Sequence, residues 1–510
     1  MWRGRLRRPA HRRQLVTPVT LKQSIYNHRV PLTEGRVLLY NALSRSLGLL
    51  EPNDLADLEA LGDQQASPTL TGTMREFVNQ GFAVRSDVDE LAMVEQLYRQ
   101  TRFNSRAINF IVCSTLACNF GCDYCFQGID KPMEVMQQSV QDGIVTMFEH
   151  LLDRRPELNQ VQFVWYGGEP LVKKKIIYNL ADRLIPIARA RGVSYGAMMV
   201  SNGYLMDGNT AEALSERGLR AVQITLDGSR DMHDARRYLL SKRGTYDRIL
   251  DNLQSWIDRL PIHVQIRVNI DARNKDDIRN LVDDLAERGF ARKPNFKMYF
   301  SPVESVTQGC EGVHETMLRK LDYGQLEIDL YRYAWDRGLA DVPYAPRFLG
   351  ICSALRANDF ILVPNGDIHK CWDTVSFPAK RVGNIFDDVD ILASPNPNKA
   401  VWDSFDPFDN EICRSCKLLP NCSGYCAHKF IYPTDAQGES ILPCPSIKYS
   451  INERLVMRAE RDGFITADDY SRDDIKTDPY QLTPKMHTVA SMQGQAARSI
   501  PLAVLATHAA

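Results

Sequence analysis

Between residues 108 and 300, short apolar runs alternate with amphipathic ones. The strand-like runs are Ile108–Ser114, Val161–Tyr166, Tyr195–Val200, Ala221–Leu226, His263–Ile270 and Asn295–Phe300. Helical spacing fills the intervals: Val140, Ile144, Phe148 and Leu151 make one stripe, and Asn209 stands where it caps a helix over Thr210–Arg217. Six strands alternating with helices predict an α/β fold with a parallel sheet, curved into an open six-strand (β/α) barrel spanning residues 106–305. Upstream, residues 16–100 read as a separate module. Strand-like stretches near Ile25–Leu32 and Arg36–Leu50 flank a turn at Glu34-Gly35. A helix follows with Asn53 as its N-cap and Leu55, Leu58 and Leu61 on one face, and a second near Met74–Gln80 stops at Gly81.

After the barrel the patterning fades. Residues 306–350 bridge to a cysteine-rich stretch, 351–450, whose apolar periodicity is too weak for a core of its own, so bound metal is expected to organise it. In the remainder, 451–510, a helix is expected after Ile451 and little order from about Lys476. Residues 1–15 carry Arg3, Arg5, Arg7, Arg8, Arg12 and Arg13 without an apolar segment behind them. That pattern reads as a disordered basic tail, not a secretory signal.

Charge narrows the partners. The 62 Lys and Arg offset 63 Asp and Glu, giving a net charge of −1, which argues against a nucleic-acid binder. No run of about 18 apolar residues occurs, so no membrane span is expected. The twelve cysteines are the unusual count, because ten of them fall into two spaced sets, 118–125 and 352–444. Close spacings such as Cys413-x2-Cys416 suit ligands of one metal centre better than cross-links. With no signal peptide, a reducing cytoplasm is the expected location.

The first set, Cys118-x3-Cys122-x2-Cys125, directly follows a strand. Iron–sulfur cubanes normally use four thiolates, so three in one loop leave one iron open to a chelating ligand; a structural zinc site completed elsewhere also fits the spacing. Further polar motifs follow the next three strands: Gly167-Gly168-Glu169-Pro170, then Ser201-Asn202-Gly203, then Thr225-Leu226-Asp227-Gly228 with His233, Asp234, Arg236 and Arg237. The strand ends of such barrels are where chemistry sits.

With Tyr124 before the third cysteine, this array resembles the radical S-adenosylmethionine (SAM) family. The C-terminal pattern adds to it: Cys352, Gly366-x4-Cys371, Cys413-x2-Cys416-x5-Cys422-x3-Cys426 and Cys444 resemble the SPASM domain, named for subtilosin, pyrroloquinoline-quinone, anaerobic-sulfatase and mycofactocin maturation. The resemblance covers roughly residues 108–450, and the N-terminal module looks like the winged-helix peptide-recognition units of peptide-modifying enzymes.

The resemblance implies SAM and three [4Fe–4S] clusters. The first would be held by Cys118, Cys122 and Cys125. Cys352, Cys371 and Cys426 would hold one auxiliary cluster, and Cys413, Cys416, Cys422 and Cys444 the other. One auxiliary cluster is then a cysteine short. Either Cys310 reaches it, or a non-cysteine ligand or open iron completes it. Tyr124, Gly167, Gly168, Glu169, Ser201, Asn202, Arg236 and Asn269 would contact or frame SAM, and Asp227 is a candidate proton-transfer group. Cys113, inside an apolar strand, reads as an ordinary buried thiol.

The implied activity is maturation of a ribosomally made peptide, by a crosslink or similar oxidation. The alternative is formylglycine formation from Ser or Cys in a protein. The implied partners are a precursor peptide or protein and a flavodoxin- or ferredoxin-type electron donor.

Overall fold

The computed structural model describes residues 20–61, 72–125, 127–128, 132–307, 313–341, 351–387, 396–434 and 443–483. The basic tail, Cys310, most of the last stretch and residues 342–350 of the bridge lie outside them. Five strands and three helices come first: β1 (Leu21–Gln23), β2 (Asn27–Pro31), β3 (Val37–Asn41), β4 (Leu47–Leu50), α1 (Pro52–Glu59), α2 (Gly72–Asn79), β5 (Ala83–Arg85) and α3 (Glu90–Arg102). β2, β3 and β4 form an antiparallel sheet, and β1 pairs with β5. The run Arg36–Leu50 is therefore two strands, broken at Arg45, whose φ of 68° sits in a tight turn. The cap of α1 is Glu51, not Asn53, because Pro52 occupies the first helical position, where its missing N–H costs nothing.

The central sheet follows the alternation in the sequence. β6 (Ala107–Cys113), β7 (Gln160–Tyr166), β8 (Ser194–Ser201), β9 (Leu219–Thr225), β10 (His263–Ile270) and β11 (Phe296–Pro302) pair in parallel, each with the next. The helices between them are α4 (Gln138–Arg154), α5 (Lys174–Ala190), α6 (Gly208–Glu216), α7 (Arg230–Arg236), α8 (Tyr246–Trp256) and α9 (Ile278–Glu287). Alternate residues of β6 face opposite ways. Ile108, Phe110 and Val112 pack with Ile144 and Phe148 of α4, whereas Ile111 and Cys113 join Val164 and Met198 on the inner face. With both faces apolar, the sheet is buried on both sides. The helix α6 is capped by Asp207, which accepts from the Thr210 N–H at 2.9 Å, two residues earlier than the Asn209 cap expected from sequence.

The sheet does not close on itself. Beyond β6 it continues through β12 (Asp359–Leu362), parallel to β6, then β13 (Asp367–His369) and β14 (Gly383–Asn384), both antiparallel. The cysteine-rich stretch, whose weak periodicity predicts no core of its own, thus contributes short strands to the barrel sheet. Its first strand extends the barrel sheet, and its apolar residues Trp402, Phe405, Phe408 and Phe430 belong to the same core as the barrel.

The N-terminal module packs on the C-terminal region. Tyr26, Val30, Leu38 and Tyr40 share a core with Ile451 and Leu455 of the helix Ile451–Arg461. Order also persists past Lys476: Pro479–Leu482 is helical, with Leu482 buried.

Candidate active site

The loop carrying Cys118, Cys122 and Cys125 leaves the end of β6 and is anchored on one side by a partner segment. Gly121 N–H donates to Tyr238 O at 2.9 Å, Leu240 N–H donates to Asn119 O at 3.0 Å, and Phe120 is fully buried between them. Within the loop, Phe120 N–H donates to Cys118 Sγ at 3.4 Å. Cys113, one strand residue below, has its thiol pushed up to about 12 by burial alone, as suits an inert core thiol.

The second motif presses against this loop from β7. Gly168 N–H donates to Thr115 O at 3.1 Å and Glu169 N–H to Ala117 O at 2.9 Å. A side chain does not fit here: a Cβ on Gly168 would lie 2.2 Å from Ala117 O, and one on Gly167, with φ of 132°, 2.1 Å from Thr115 O. Glu169 is fully buried and ties the second motif to the third. Its carboxylate accepts from Ser201 Oγ at 2.9 Å, Asn202 N–H at 2.7 Å and Leu171 N–H at 3.0 Å. Burial pushes its pKa up to about 7, although those three donors and Arg237 oppose the rise. Asn202 in turn donates from Nδ2 to Asn119 Oδ1 at 2.8 Å, so the ends of β7 and β8 both lock to the cysteine loop that leaves β6.

Asp227, at the end of β9, is fully buried in a polar network. Its Oδ2 accepts from the Tyr124 hydroxyl, and its Oδ1 accepts from Asn269 N–H at 3.1 Å. Arg236 Nε lies 3.8 Å from Oδ2. Tyr124 Oη also accepts from Arg237 and from Asn269 Nδ2, the latter at 3.2 Å. Burial raises the Asp227 pKa, and Arg237 and Arg236 hold it back. His233 accepts from Asp227 N–H at 3.3 Å; burial and the two arginines keep it neutral.

The structure thus brings Tyr124, Asp227, Arg236 and Asn269 together. Arg236 spends NH1 on both oxygens of Asp271, at 2.9 Å each, and Asn269 Oδ1 accepts from Arg267 at 2.7 Å. Arg237, whose neighbour was the candidate in the sequence, carries the direct bond to Tyr124. The adjacent pair Arg236-Arg237 is visible in the sequence, but only the fold divides its duties.

The seven C-terminal cysteines fall into two groups. Burial raises the thiol pKa values of Cys352, Cys371, Cys413 and Cys422, and the charge of neighbouring cysteines adds to the rise. Cys352 and Cys426 act on Cys371, and Cys426 acts on Cys352. Cys413, Cys416 and Cys444 act on Cys422, and Cys416 and Cys444 on Cys413. Cys422 and Cys426, one short turn apart, therefore belong to different groups. Ser423 and Tyr425, both with left-handed backbone (φ 53° and 49°), turn the chain between them. Cys413, Cys416, Cys422 and Cys444 line one pocket with Ile412, Leu418, Leu419 and Ile447. Lys448 Nζ lies 3.7 Å from Cys444 Sγ and supplies a cation beside it.

These donor sets suit iron–sulfur clusters. Among the described residues, no three His, Cys, Asp or Glu side chains close on a single ion-sized point. A tetrahedral zinc with Zn–S of about 2.3 Å would draw its thiols to within ~3.8 Å of each other. At the second group, four thiols line one pocket, which suits a polynuclear iron–sulfur centre with cysteine ligands. Beside the first loop, Arg236 Nε and NH2, Arg237 Nε and Gln127 Nε2 are buried donors without a hydrogen-bond partner among the described residues, which suits an anionic or chelating ligand.

A model of the radical SAM superfamily matches residues 112–285. The chain is 30% identical over 179 residues to an Fe-coproporphyrin III synthase of Methanosarcina barkeri, covering 35% of this chain and 41% of that relative. It is 21% identical to a serine-type anaerobic sulfatase-maturating enzyme of Klebsiella aerogenes, over 61% of this chain and 77% of the relative. In fold it is similar to native anSMEcpe solved with bound AdoMet and Kp18Cys peptide. The TM-score is 0.53 at 16% identity, covering 70% of this chain and 98% of that one. No described helix is long and apolar enough to cross a membrane.

Proposed function

Because the chain carries a radical SAM domain across residues 112–285, we propose that it is a radical SAM maturase of a peptide or protein, with two further iron–sulfur centres in its C-terminal region. When bound, a [4Fe–4S] cluster with one open iron supplies an electron to SAM and so a 5′-deoxyadenosyl radical, which takes hydrogen from an unreactive carbon. Cys118, Cys122 and Cys125 would hold that cluster. The observation that carries this reading is the meeting of two strand-end motifs on the cysteine loop, one through Gly168 and Glu169 and the other through Asn202.

The protein's own residues supply position and charge. Gly167 and Gly168 let backbone approach where a side chain would not fit. Arg236 and Arg237 keep spare buried donors for a carboxylate. Tyr124, held by Asp227, Asn269 and Arg237, fixes the end of the cysteine loop. In this reading Asp227 sets the geometry of the loop, and any proton it passes travels through Tyr124. Cys352, Cys371 and Cys426 would hold one further cluster, and Cys413, Cys416, Cys422 and Cys444 the other.

For the substrate, a ribosomally made peptide receiving a crosslink or comparable oxidation is the first reading. It is supported by the N-terminal module, whose sheet has β2 and β4 as outer strands and which packs on the cysteine-bearing region. An extended peptide adding to such an edge is a common recognition mode. A sulfatase-type maturase is the second reading, favoured by the relative from Klebsiella aerogenes. Coexpression with a neighbouring short peptide, and separately with a sulfatase, followed by mass spectrometry, distinguishes them. A peptide two hydrogens lighter supports the first reading. Conversion of a sulfatase Ser or Cys to formylglycine, with the peptide unchanged, replaces it by the second.

A further inference from the structure

The group formed by Cys352, Cys371 and Cys426 contains a fourth anion that the cysteine spacing did not announce. Asp373 lies two residues after Cys371, and its Oδ2 is 3.7 Å from Cys371 Sγ. Its charge also acts on Cys352 and Cys426, so the carboxylate lies near all three thiols, with Lys429 and Arg267 acting on it from further off. The local chain fixes this placement. Cys371 is the N-cap of a short 3-10 turn, Trp372–Thr374. Thr374 closes the turn by donating to Cys371 O twice, from its N–H at 3.1 Å and from Oγ1 at 2.7 Å. Trp372, between the two anions, packs edge-on against Tyr166 with ring centroids 4.1 Å apart, which holds the turn against the end of β7.

Asp373 differs from the other acidic residues near the site in lacking partners. Glu169 accepts three hydrogen bonds, Asp227 is bonded to Tyr124 and Asn269, and Glu304 pairs with Lys320 and Lys429. Among the described residues, the Asp373 carboxylate has one hydrogen bond, from Cys371, and no ion pair. A half-buried carboxylate facing three thiols is costly by itself, and a metal centre among them removes the cost. Three thiolates leave one iron of a cubane without a protein ligand, and a carboxylate oxygen is a competent, harder donor for it.

We propose that Asp373 is the fourth protein ligand of the iron–sulfur centre held by Cys352, Cys371 and Cys426. This rests on the reading of that group as a cluster site. The assignment closes the centre to substrate: no iron is left for a peptide thiol or a water to occupy. It also gives the centre an oxygen ligand, so its reduction potential differs from that of an all-thiolate cluster.

The test uses the full chain with Cys118, Cys122 and Cys125 all changed to Ala, which removes the cluster with an open iron and isolates the other two. Reconstituted anaerobically, this parent should hold about eight irons. About four or fewer would refute the cluster reading itself, and the ligand assignment with it. With about eight bound, mild oxidation with ferricyanide is followed by electron paramagnetic resonance. The parent should resist, and D373A should lose one iron and show a three-iron cluster signal several-fold larger than the parent's. Added 13C-cyanide should couple to the D373A cluster and not to the parent's. D373C, which keeps a ligand, should hold eight irons, resist oxidation and show a shifted reduction potential. If D373A fails to load iron, D373C carries the test alone: an unchanged potential and spectrum would overturn the proposal. A parent that already yields the three-iron signal or binds cyanide would overturn it too. So would a D373A variant with parental spectra, including one that alters only a turnover pH profile, which would make Asp373 a proton carrier.

Discussion

The Tyr124 hydroxyl donates to the buried Asp227 carboxylate across 103 residues of sequence, joining the loop after the first barrel strand to the end of the fourth. Tyr124 precedes Cys125, so the bond sets the position of a cysteine from the far side of the sheet. Removing the hydroxyl leaves both Asp227 Oδ2 and Arg237 short of a partner in a buried site. Tyr124→Phe should cost about 1–3 kcal/mol. Asp227→Ala should cost more, on the order of 3–5 kcal/mol, because it leaves buried arginine charge uncompensated. Denaturant unfolding of the anaerobic, iron-loaded protein measures both, and the ranking Asp227→Ala below Tyr124→Phe is the expected result.

A methyl group at Gly168 meets two carbonyl oxygens, 2.2 Å from Ala117 O and 2.3 Å from Leu116 O. Neither can yield without moving the chain that leads into Cys118. Gly168→Ala should therefore lose about four of about twelve irons while the remaining eight stay bound. Gly72→Ala, where a Cβ meets nothing within 4 Å, is the control and should load fully. Iron analysis after anaerobic reconstitution reads the difference.

Glu169 gives the fold a pH dependence of definite sign. Its pKa is raised by burial from 4.5 to about 7, so the folded chain favours the protonated form. That contribution to stability is complete below about pH 4.5 and is lost as pH rises through about 7, by up to about 3 kcal/mol. Unfolding midpoints should fall between about pH 5 and 8. Glu169→Gln should flatten that slope, while lowering the midpoint through the lost acceptor at Asn202 N–H.

The Arg102 guanidinium makes four of the bonds that fasten the C-terminal region to α3. Arg102 is 3% exposed and donates to Leu355 O at 3.1 Å, Phe405 O at 2.7 Å, Trp402 O at 3.1 Å and Asp403 O at 2.8 Å. Arg102→Leu strips partners from four carbonyls and should cost on the order of 3 kcal/mol. Limited proteolysis should then cut first between the barrel and residues 396–434, which the parent protects.

The sequence disclosed what repeats or is spaced. The six barrel strands lie within one or two residues of their alternating runs because each buries both faces, leaving a strong apolar signal. The cysteines were legible because ligand sets are spaced by chemistry. What escaped was carried by single long-range contacts. Strand β12 is four residues long and gains its place only by pairing with β6, 250 residues earlier. Helix α3 and strand β5 were missed because their packing partners lie elsewhere in the chain. Asn209 and Asn53 were read as caps, but Asp207 and Pro52 compete at neighbouring positions, and composition does not rank them. Glu169 and Asn269 are expected among the SAM contacts from the family resemblance. In the fold their side chains are spent on Ser201, Asn202, Tyr124 and Arg267.

The central claim is that Cys118, Cys122 and Cys125 hold a cluster that cleaves SAM. The direct test is 5′-deoxyadenosine formation by the anaerobically reconstituted, chemically reduced full chain, beside Cys118→Ala carried through the same steps. The account predicts 5′-deoxyadenosine from the parent and none above buffer from the variant, with the C-terminal irons retained in both. An iron-loaded parent that leaves SAM intact, or a variant that cleaves it as fast as the parent, would contradict it.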